Sequence, residues 1–431
     1  MTPDEAVAWV EGLDILGMRF GLERMHRLLQ ALGRPERAQP SVHVVGTNGK
    51  TSTVRLAAAA LASTGLRTGA YLSPHVTGWA ERIEIGGVPV DERAFAAHLT
   101  EVRGAAEALE AGGDERVTQF EALTAAAFLA FAHAELDAAV VEAGLGGRYD
   151  ATNVLGGGLV TVLTNVSLEH TELLGDTHAA IAGEKLAVAP DGSGALVVGR
   201  LSAEAEAAVA EVCGRRELSG WHLGREFEVD ARTDGAGEVL TVRCPGATYD
   251  GLRLGVRGRF QRDNVAVAVA AAQRMVDRPL APEPLREALA AVRVPGRLEL
   301  FPGRPPVLLD GAHNPAGMEA LVASLPAVAG TRPVVAVVSL LDDKDAGAML
   351  GVLAPAVDAV VATRSAHRRA APPARVRDAA AAAGREALAE DDPHRALAHA
   401  RARAGADGLV LVCGSLYLLT DLRASIAAAV P

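Results

Sequence analysis

Between Val44 and Val54 the chain reads VVGTNGKTSTV. Two glycines, a lysine and two hydroxyls in that order are phosphate chemistry. The backbone N–H groups of a glycine turn and of a helix start converge on one point and attract an anion. Lys50 adds a cation, and Thr51 or Ser52 adds a hydroxyl able to reach Mg²⁺. The spacing departs from the common G-x-x-x-x-G-K-[ST] loop, whose first glycine would fall at Val44; the nearest upstream glycine is Gly46. The bland alternative is a plain turn between strand and helix.

Four further groups could do chemistry. Glu142 stands near the end of an apolar run in VVEAGLGGRYDATN (140–153). A carboxylate there is costly unless paired or metal-bound, so it is either a Mg²⁺ ligand or one half of a salt bridge, for example to Arg148. His170 and Lys185 lie in TNVSLEHTELLGDTHAAIAGEKLAV (164–188), just after a strand expected to neighbour that of Glu142. Asp310, His313 and Asn314 cluster in LLDGAHNPAGMEAL (308–321); Asp342, Asp343, Lys344 and Asp345 take the same topological place in LLDDKDAGAML. Asn and Asp favour helix caps and turns. Two polar clusters at consecutive strand ends also fit a cleft.

The elements that must position these groups are readable. SVHVVG, then KTSTVRLAAAALASTG, then TGAYLSP is a βαβ unit. FEALTAAAFLAFAHAELD is a helix, AAVVEAGLGG a buried strand, GGLVTVLTNVS a strand, HAAIAGEKLAVAP a helix and GALVVG a strand. This alternation predicts a mostly parallel, doubly wound sheet, with ligands at the carboxyl ends of its strands. Alternating residues with glycine turns predict a small antiparallel sheet over about 225–260. NVAVAVAAAQRMV and PLREALAAVR return to helix, and from VPGRLEL a second series of strands and helices begins. The expected fold is α/β: a P-loop ATPase domain over 1–294 and a Rossmann-like α/β domain over 297–431. The Ala-rich stretch 378–403 reads as helical.

Composition narrows the partners. The net charge is −11 and aromatics make up 3%, which argues against nucleic-acid binding. The basic cluster at 363–377 reads as a solvated loop and helix face. No apolar run reaches the length of about 20 residues that spans a bilayer, and the N-terminus lacks the features of a signal peptide. Cys213, Cys244 and Cys413 are far apart, odd in number and flanked by apolar residues, which predicts buried thiols in a reducing cytoplasm. A monomer acting on small molecules is expected.

Together the motifs resemble folylpolyglutamate synthase and dihydrofolate synthase, of the Mur ligase superfamily. The matching stretches are FGLERM (20–25), VGTNGKTST (45–53), YLSPHV (71–76), ERIEIGG (81–87) and TQFEALT (118–124). EAGLGGRYDATN (142–153), TNVSLEHTELLGDT (164–177), GRFQRDN (258–264), PGRLE (295–299), DGAHNP (310–315) and DDKD (342–345) follow in the family's order. The resemblance implies that ATP phosphorylates a carboxylate of a folate or of dihydropteroate, and that L-glutamate then attacks the acyl phosphate.

It also implies the site. Gly46, Thr47, Asn48, Gly49, Lys50, Thr51 and Ser52 hold ATP with Asn264, Arg297 and Asp310. Ser52, Ser73, Glu142 and His170 hold one or two Mg²⁺ ions. Lys185 matches a lysine that the family carries as a carbamate. Lys50, Glu142, His170 and Lys185 form the catalytic group. Residues 20–24 (Gly21, Leu22, Glu23 and Arg24 among them) and Thr118, Gln119, Phe120 and Glu121 fall on the pterin side, and Arg82 is a further substrate residue. His313 and the Asp343–Asp345 cluster are candidates for closing the site and binding glutamate. Three positions depart from the family pattern: Thr51 replaces the usual glycine, Glu169 a frequent aspartate, and EKLAV the usual EKAGI. Because the peptidoglycan Mur ligases share Thr51, a cell-wall ligase is the alternative. The motifs SPH, HTELLGDT and DATN favour the folate branch, and a loop beginning at residue 46 leaves no room for a UDP-binding domain before it. A non-catalytic ATP-binding switch would not need Glu142, His170 and Lys185 together.

Overall fold

The computed structural model describes residues 1–14, 21–156, 159–193, 195–234 and 237–429. Phe20, in the expected pterin-side region, lies outside them. The chain forms two compact units. Met1–Pro74, Trp79–Gly255 and Arg262–Val292 make the first; His75–Gly78, Val256–Gln261 and Arg293–Pro431 make the second.

The first unit is built on eight strands: β1 (Ser41–Val45), β2 (Thr68–Tyr71), β3 (Ile83–Ile85), β4 (Val88–Pro89), β5 (Ala138–Glu142), β6 (Leu159–Leu163), β7 (Leu196–Val198) and β8 (Gly220–His222). Their order is β4-β3-β2-β5-β1-β6-β7-β8. From β2 to β8 all neighbours run parallel; β3 and β4 add an antiparallel hairpin at one edge. β1 and β5 are buried over their full length. Strands covered on both faces read as continuous apolar runs, which is why SVHVV and AAVVE were legible. The helix Lys50–Ala62 returns from β1 toward β2, and Gln119–His133, apolar almost all round, precedes β5. A separate antiparallel sheet, β9 (Glu228–Asp234), β10 (Gly237–Cys244) and β11 (Ala247–Leu252), has the order β11-β10-β9.

The second unit carries β12 (Glu299–Phe301), β13 (Val307–Leu309), β14 (Val334–Val338), β15 (Ala359–Ala362), β16 (Ala387–Ala389) and β17 (Leu409–Cys413), in the order β12-β13-β17-β14-β15-β16. All pairs are parallel except β12 with β13. Here the helical reading of 378–403 needs correction. The helices Pro373–Ala382 and Pro393–Ala404 are separated by β16, whose backbone pairs with β15. Alanine's helix propensity yields where an open sheet edge offers ladder hydrogen bonds. The three cysteines are free and buried. Among the described residues no helix is long and apolar enough to cross a membrane.

Candidate active site

The strand order brings four separate motifs to one edge of the first sheet. β2, β5, β1 and β6 are consecutive neighbours and mutually parallel. Their carboxyl ends therefore emerge together: Ser73 after β2, Glu142 closing β5, the turn 46–49 after β1, and Thr164–His170 after β6. Ligands bind at this edge in such sheets.

The turn after β1 is fixed by its neighbours. Gly46 has φ 147° and Gly49 has φ 83°, both in the region that favours glycine. A Cβ at Gly46 would overlap the Thr164 hydroxyl, and one at Gly49 would come within 2.6 Å of Asn264 Oδ1. The loop after β6 stitches the turn in place. The Thr47 amide donates to the Asn165 carbonyl (3.1 Å) and the Asn48 amide to Asn165 Oδ1 (2.9 Å). The Asn48 carbonyl accepts from the Thr164 hydroxyl (2.7 Å) and Asn165 Nδ2 (3.1 Å). Lys50 Nζ donates back to the carbonyls of Gly46 (2.9 Å) and Thr47 (3.0 Å). A cation is thus held at the mouth of a preformed loop, where it can be handed to a phosphate.

Glu142 is buried. The Thr51 hydroxyl donates to its Oε1 (3.0 Å) and the Ser73 amide to its Oε2 (3.2 Å). Arg148 is not its partner: that guanidinium pairs at 2.8 Å with Glu184 instead. Three sequence-distant candidates, Thr51, Ser73 and Glu142, are therefore in direct contact. His170 caps the short helix Thr171–Leu174 with φ 52°, an uncommon backbone for a non-glycine residue. Its ring nitrogens lie 3.8 and 3.9 Å from the carboxylates of Glu169 and Glu172.

Lys185 is buried on the helix His178–Leu186, and its Nζ donates to the Gly46 carbonyl at 3.0 Å, the same oxygen that Lys50 uses. Burial first, and then the nearby Lys50 charge, bring its ammonium down to about 7 from an ordinary 10.5. The amine is therefore substantially neutral and nucleophilic near physiological pH. The glycine-rich turn after β5 lies on this helix: a Cβ at Gly147 would come within 2.6 Å of the Glu184 and Lys185 carbonyls.

The expected pterin-side residues also meet. Arg24, in the first turn of the helix Glu23–Ala31, donates from Nε to both oxygens of Glu121 (3.0 and 2.8 Å). Glu121 and Thr118 form the capping box that starts Gln119–His133. Phe120 stacks on Tyr71 with centroids 6.0 Å apart and fills the space that a Cβ at Gly144 would need. Gln119 is diverted to the Val10 carbonyl (3.0 Å). Arg82 donates to the Ser73 hydroxyl (3.3 Å) and lies over the Trp79 ring, which links it to the Glu142 group.

Two supports have no counterpart among the motifs. Arg55, one turn beyond Thr51, is buried with Glu81 (2.9 Å) and Glu84 (2.6 Å), tying the loop helix to the segment that carries Arg82. His43, inside β1, is buried and meets Thr152 Oγ1 at 2.7 Å; Thr152 and the Leu145 amide in turn donate to the buried Asp150. Burial drives His43 down to about 3, so it stays neutral. A histidine interrupting the apolar run SVHVV was the available signal.

In the second unit, Asp310 follows β13 and is buried. It accepts the amides of Leu298 (3.0 Å) and Ala312 (2.9 Å). Burial raises its carboxyl, and Arg297 opposes that rise. Arg297 passes so close to Gly311 that any Cβ there would overlap its guanidinium. His313 Nδ1 lies 2.8 Å from the Gly311 carbonyl. Asn314 and Asp345 are helix caps, and Asp342 and Asp343 pair with Arg375 and Arg369. Capping thus accounts for one residue of each polar cluster.

The chain matches the Mur ligase middle domain over residues 44–272 and the Mur ligase glutamate ligase domain over 296–416. It is 37% identical over 393 residues to the dihydrofolate synthase/folylpolyglutamate synthase of Mycobacterium tuberculosis, covering 86% of this chain and 80% of that protein. The chain belongs to the folylpolyglutamate/dihydrofolate synthase family of Mur ligases. The folylpolyglutamate synthase of M. tuberculosis, solved with ADP and AMPPCP, superposes with a TM-score of 0.90 at 32% identity, covering 98% of this chain and 99% of that one. A folylpolyglutamate synthase–AMPPCP–folate complex gives 0.87 at 32% identity, covering 99% and 100%. Both the α/β architecture and the ligase class expected from the motifs are those of the family. Thr51 does not move the chain to the cell-wall branch.

Proposed function

We propose that this ligase uses ATP to join L-glutamate to a folate carboxylate, and also to dihydropteroate, through an acyl phosphate. The observation that carries this reading is the shared edge where the Lys50 loop, the Thr51–Glu142–Ser73 group and Lys185 converge. A substrate carboxylate oxygen attacks the γ-phosphorus of ATP and the bond to the ADP oxygen breaks. The neutral amine of glutamate then attacks the acyl carbon. Phosphate leaves with the electron pair of the C–O bond, and a proton is lost from nitrogen. Such transfers need positioning and charge neutralisation more than covalent help. Lys50 exchanges its two carbonyl partners for phosphate oxygens, and the amides at the start of the helix Lys50–Ala62 orient them. Asn264, Arg297 and Asp310 are assigned to the nucleotide, His313 to glutamate, and Gly21–Arg24, Arg82 and Thr118–Glu121 to the acceptor.

The donor set of Ser52 or Thr51 hydroxyl, Ser73, Glu142 and His170 is mostly hard oxygen, which suits Mg²⁺. When bound, that ion offsets the repulsion between carboxylate and triphosphate. Thr51 donates to Glu142, which puts its hydroxyl beside the carboxylate that would hold the ion. Lys185 fits a carbamate. Its neutral amine adds to CO₂ with loss of a proton, and the product nitrogen keeps one N–H for the Gly46 carbonyl. The new anion also turns repulsion from Lys50 into attraction. A mass increase of one CO₂ confined to the Lys185 peptide, trapped by alkylation, is the expected signature.

The deciding experiment incubates the purified protein with ATP, glutamate and either dihydropteroate or tetrahydrofolate. Product from both is expected. Product from tetrahydrofolate alone sinks the bifunctional reading, and product from neither sinks the assignment.

A further inference from the structure

At the other end of the first sheet, three side chains with metal-ligating atoms converge, and the ligase reaction uses none of them. His98 and Glu101 lie on the helix Glu92–Ala111, and His133 is the last residue of Gln119–His133. Positions three apart share a helix face, so His98 and Glu101 point the same way. The His98 and His133 rings are 5.4 Å apart, and His133 Nδ1 is 4.0 Å from Glu101 Oε1. One ligand atom from each residue lies within 4.8 Å of the other two; among the described residues this is the one such group of three. His133 precedes β5 by a few residues, so the group sits at the amino ends of the strands, opposite the Lys50 loop.

We propose that His98, Glu101 and His133 form a site for one divalent transition ion of the zinc class, which clamps the two helices together. Two imidazoles and one carboxylate are ligands of zinc sites that leave a fourth position to water, whereas Mg²⁺ prefers oxygen throughout. The observation that sets this cluster apart from ordinary surface histidines is His98 Nδ1. That atom is buried and has no hydrogen-bond partner among the described residues, which buried polar atoms rarely tolerate. An ion coordinated at Nδ1 satisfies it directly.

The geometry requires modest closure. Tetrahedral bonds of about 2.0–2.1 Å place ligand atoms about 3.3 Å apart. The present separations reach that value by side-chain rotation, because Glu101 and His133 are both about half exposed (49% and 52%).

The test uses the full chain, stripped of metal with a chelator and titrated with Zn²⁺ and, for its visible spectrum, Co²⁺. His133→Gln and Glu101→Gln are suitable variants because both side chains are exposed; His170→Gln controls for binding at the catalytic edge. The expected result is a Zn²⁺ equivalent that persists in His170→Gln, resists excess Mg²⁺, and raises the melting temperature by several degrees. In His133→Gln and Glu101→Gln its affinity should fall at least about tenfold, the stabilisation should disappear and ligase activity should remain. Absence of stoichiometric binding overturns the proposal. So does binding that His133→Gln leaves intact, or binding lost in His170→Gln alone.

Discussion

The turn after β1 and the turn after β13 both leave a buried strand and enter a helix, yet they spend their backbone groups in opposite ways. After β1, carbonyl oxygens hold the charged side chains: those of Gly46 and Thr47 take Lys50, and that of Gly46 also takes Lys185. After β13, the charged side chain takes amides instead: Asp310 accepts that of Ala312 in the turn and that of Leu298, just before β12. The first turn keeps a cation on exchangeable partners, so a phosphate can claim it. The second holds an anion between its own backbone and that of Leu298, next to Arg297 in the chain. A strand–turn–helix is therefore reactive or structural according to which backbone groups the charged side chain engages.

This contrast predicts different failures. The largest effect is expected for Lys50→Ala. Glutamate-dependent phosphate release should fall on the order of 10³-fold, the scale of a charge that stabilises phosphoryl transfer, with little change in the urea midpoint. Glu142→Ala should behave likewise in the same assay. Near-normal rates in either variant contradict the mechanism, and gross unfolding breaks the contrast between the turns.

Asp310→Ala should lower stability as well as nucleotide binding. Two buried amides lose their acceptor, at a cost of roughly 1–3 kcal/mol each, to be read from urea unfolding monitored by circular dichroism. An unchanged midpoint would mean that Asp310 is not the keystone of its turn.

Lys185→Met tests the cation behind the first turn and should separate activity from stability. The folded ammonium titrates near 7 and the unfolded one near 10.5. Between these values the unfolded state binds more protons, so wild-type stability rises with pH across that window. Removing the lysine removes the slope. In CO₂-free buffer the variant should be more stable at pH 7 by a few kcal/mol, because each tenfold loss of proton affinity on folding costs about 1.4 kcal/mol. That advantage should shrink toward pH 10, while turnover is lost throughout. A constant difference between pH 7 and pH 10 would contradict the burial argument.

The smallest effect sharpens the comparison at its glycines. Gly46→Ala meets the Thr164 hydroxyl and needs a strained backbone, so it should weaken folding and nucleotide binding together. Gly311→Ala meets the tip of the flexible Arg297 and the Leu416 side chain. It should displace Arg297, raising KM for ATP severalfold with a melting temperature lowered by only a few degrees. Equal destabilisation by the two substitutions would erase the distinction.

The amino-acid sequence by itself determined the α/β alternation and the position of the phosphate loop, because buried parallel strands are continuous apolar runs punctuated by glycine. It also marked Glu142 as a polar residue in apolar surroundings and Asp310 as one of a polar cluster at a strand end. Only the tertiary structure decided what those residues touch. Glu142 could equally have paired with Arg148; β-strand order instead placed it against Thr51 and Ser73. The same order put Lys185 on the carbonyl that Lys50 uses, and the packing put Arg55 between Glu81 and Glu84. Local patterning follows from each segment's own burial. Contacts between residues tens of positions apart depend on which strands become neighbours, and no single segment encodes that.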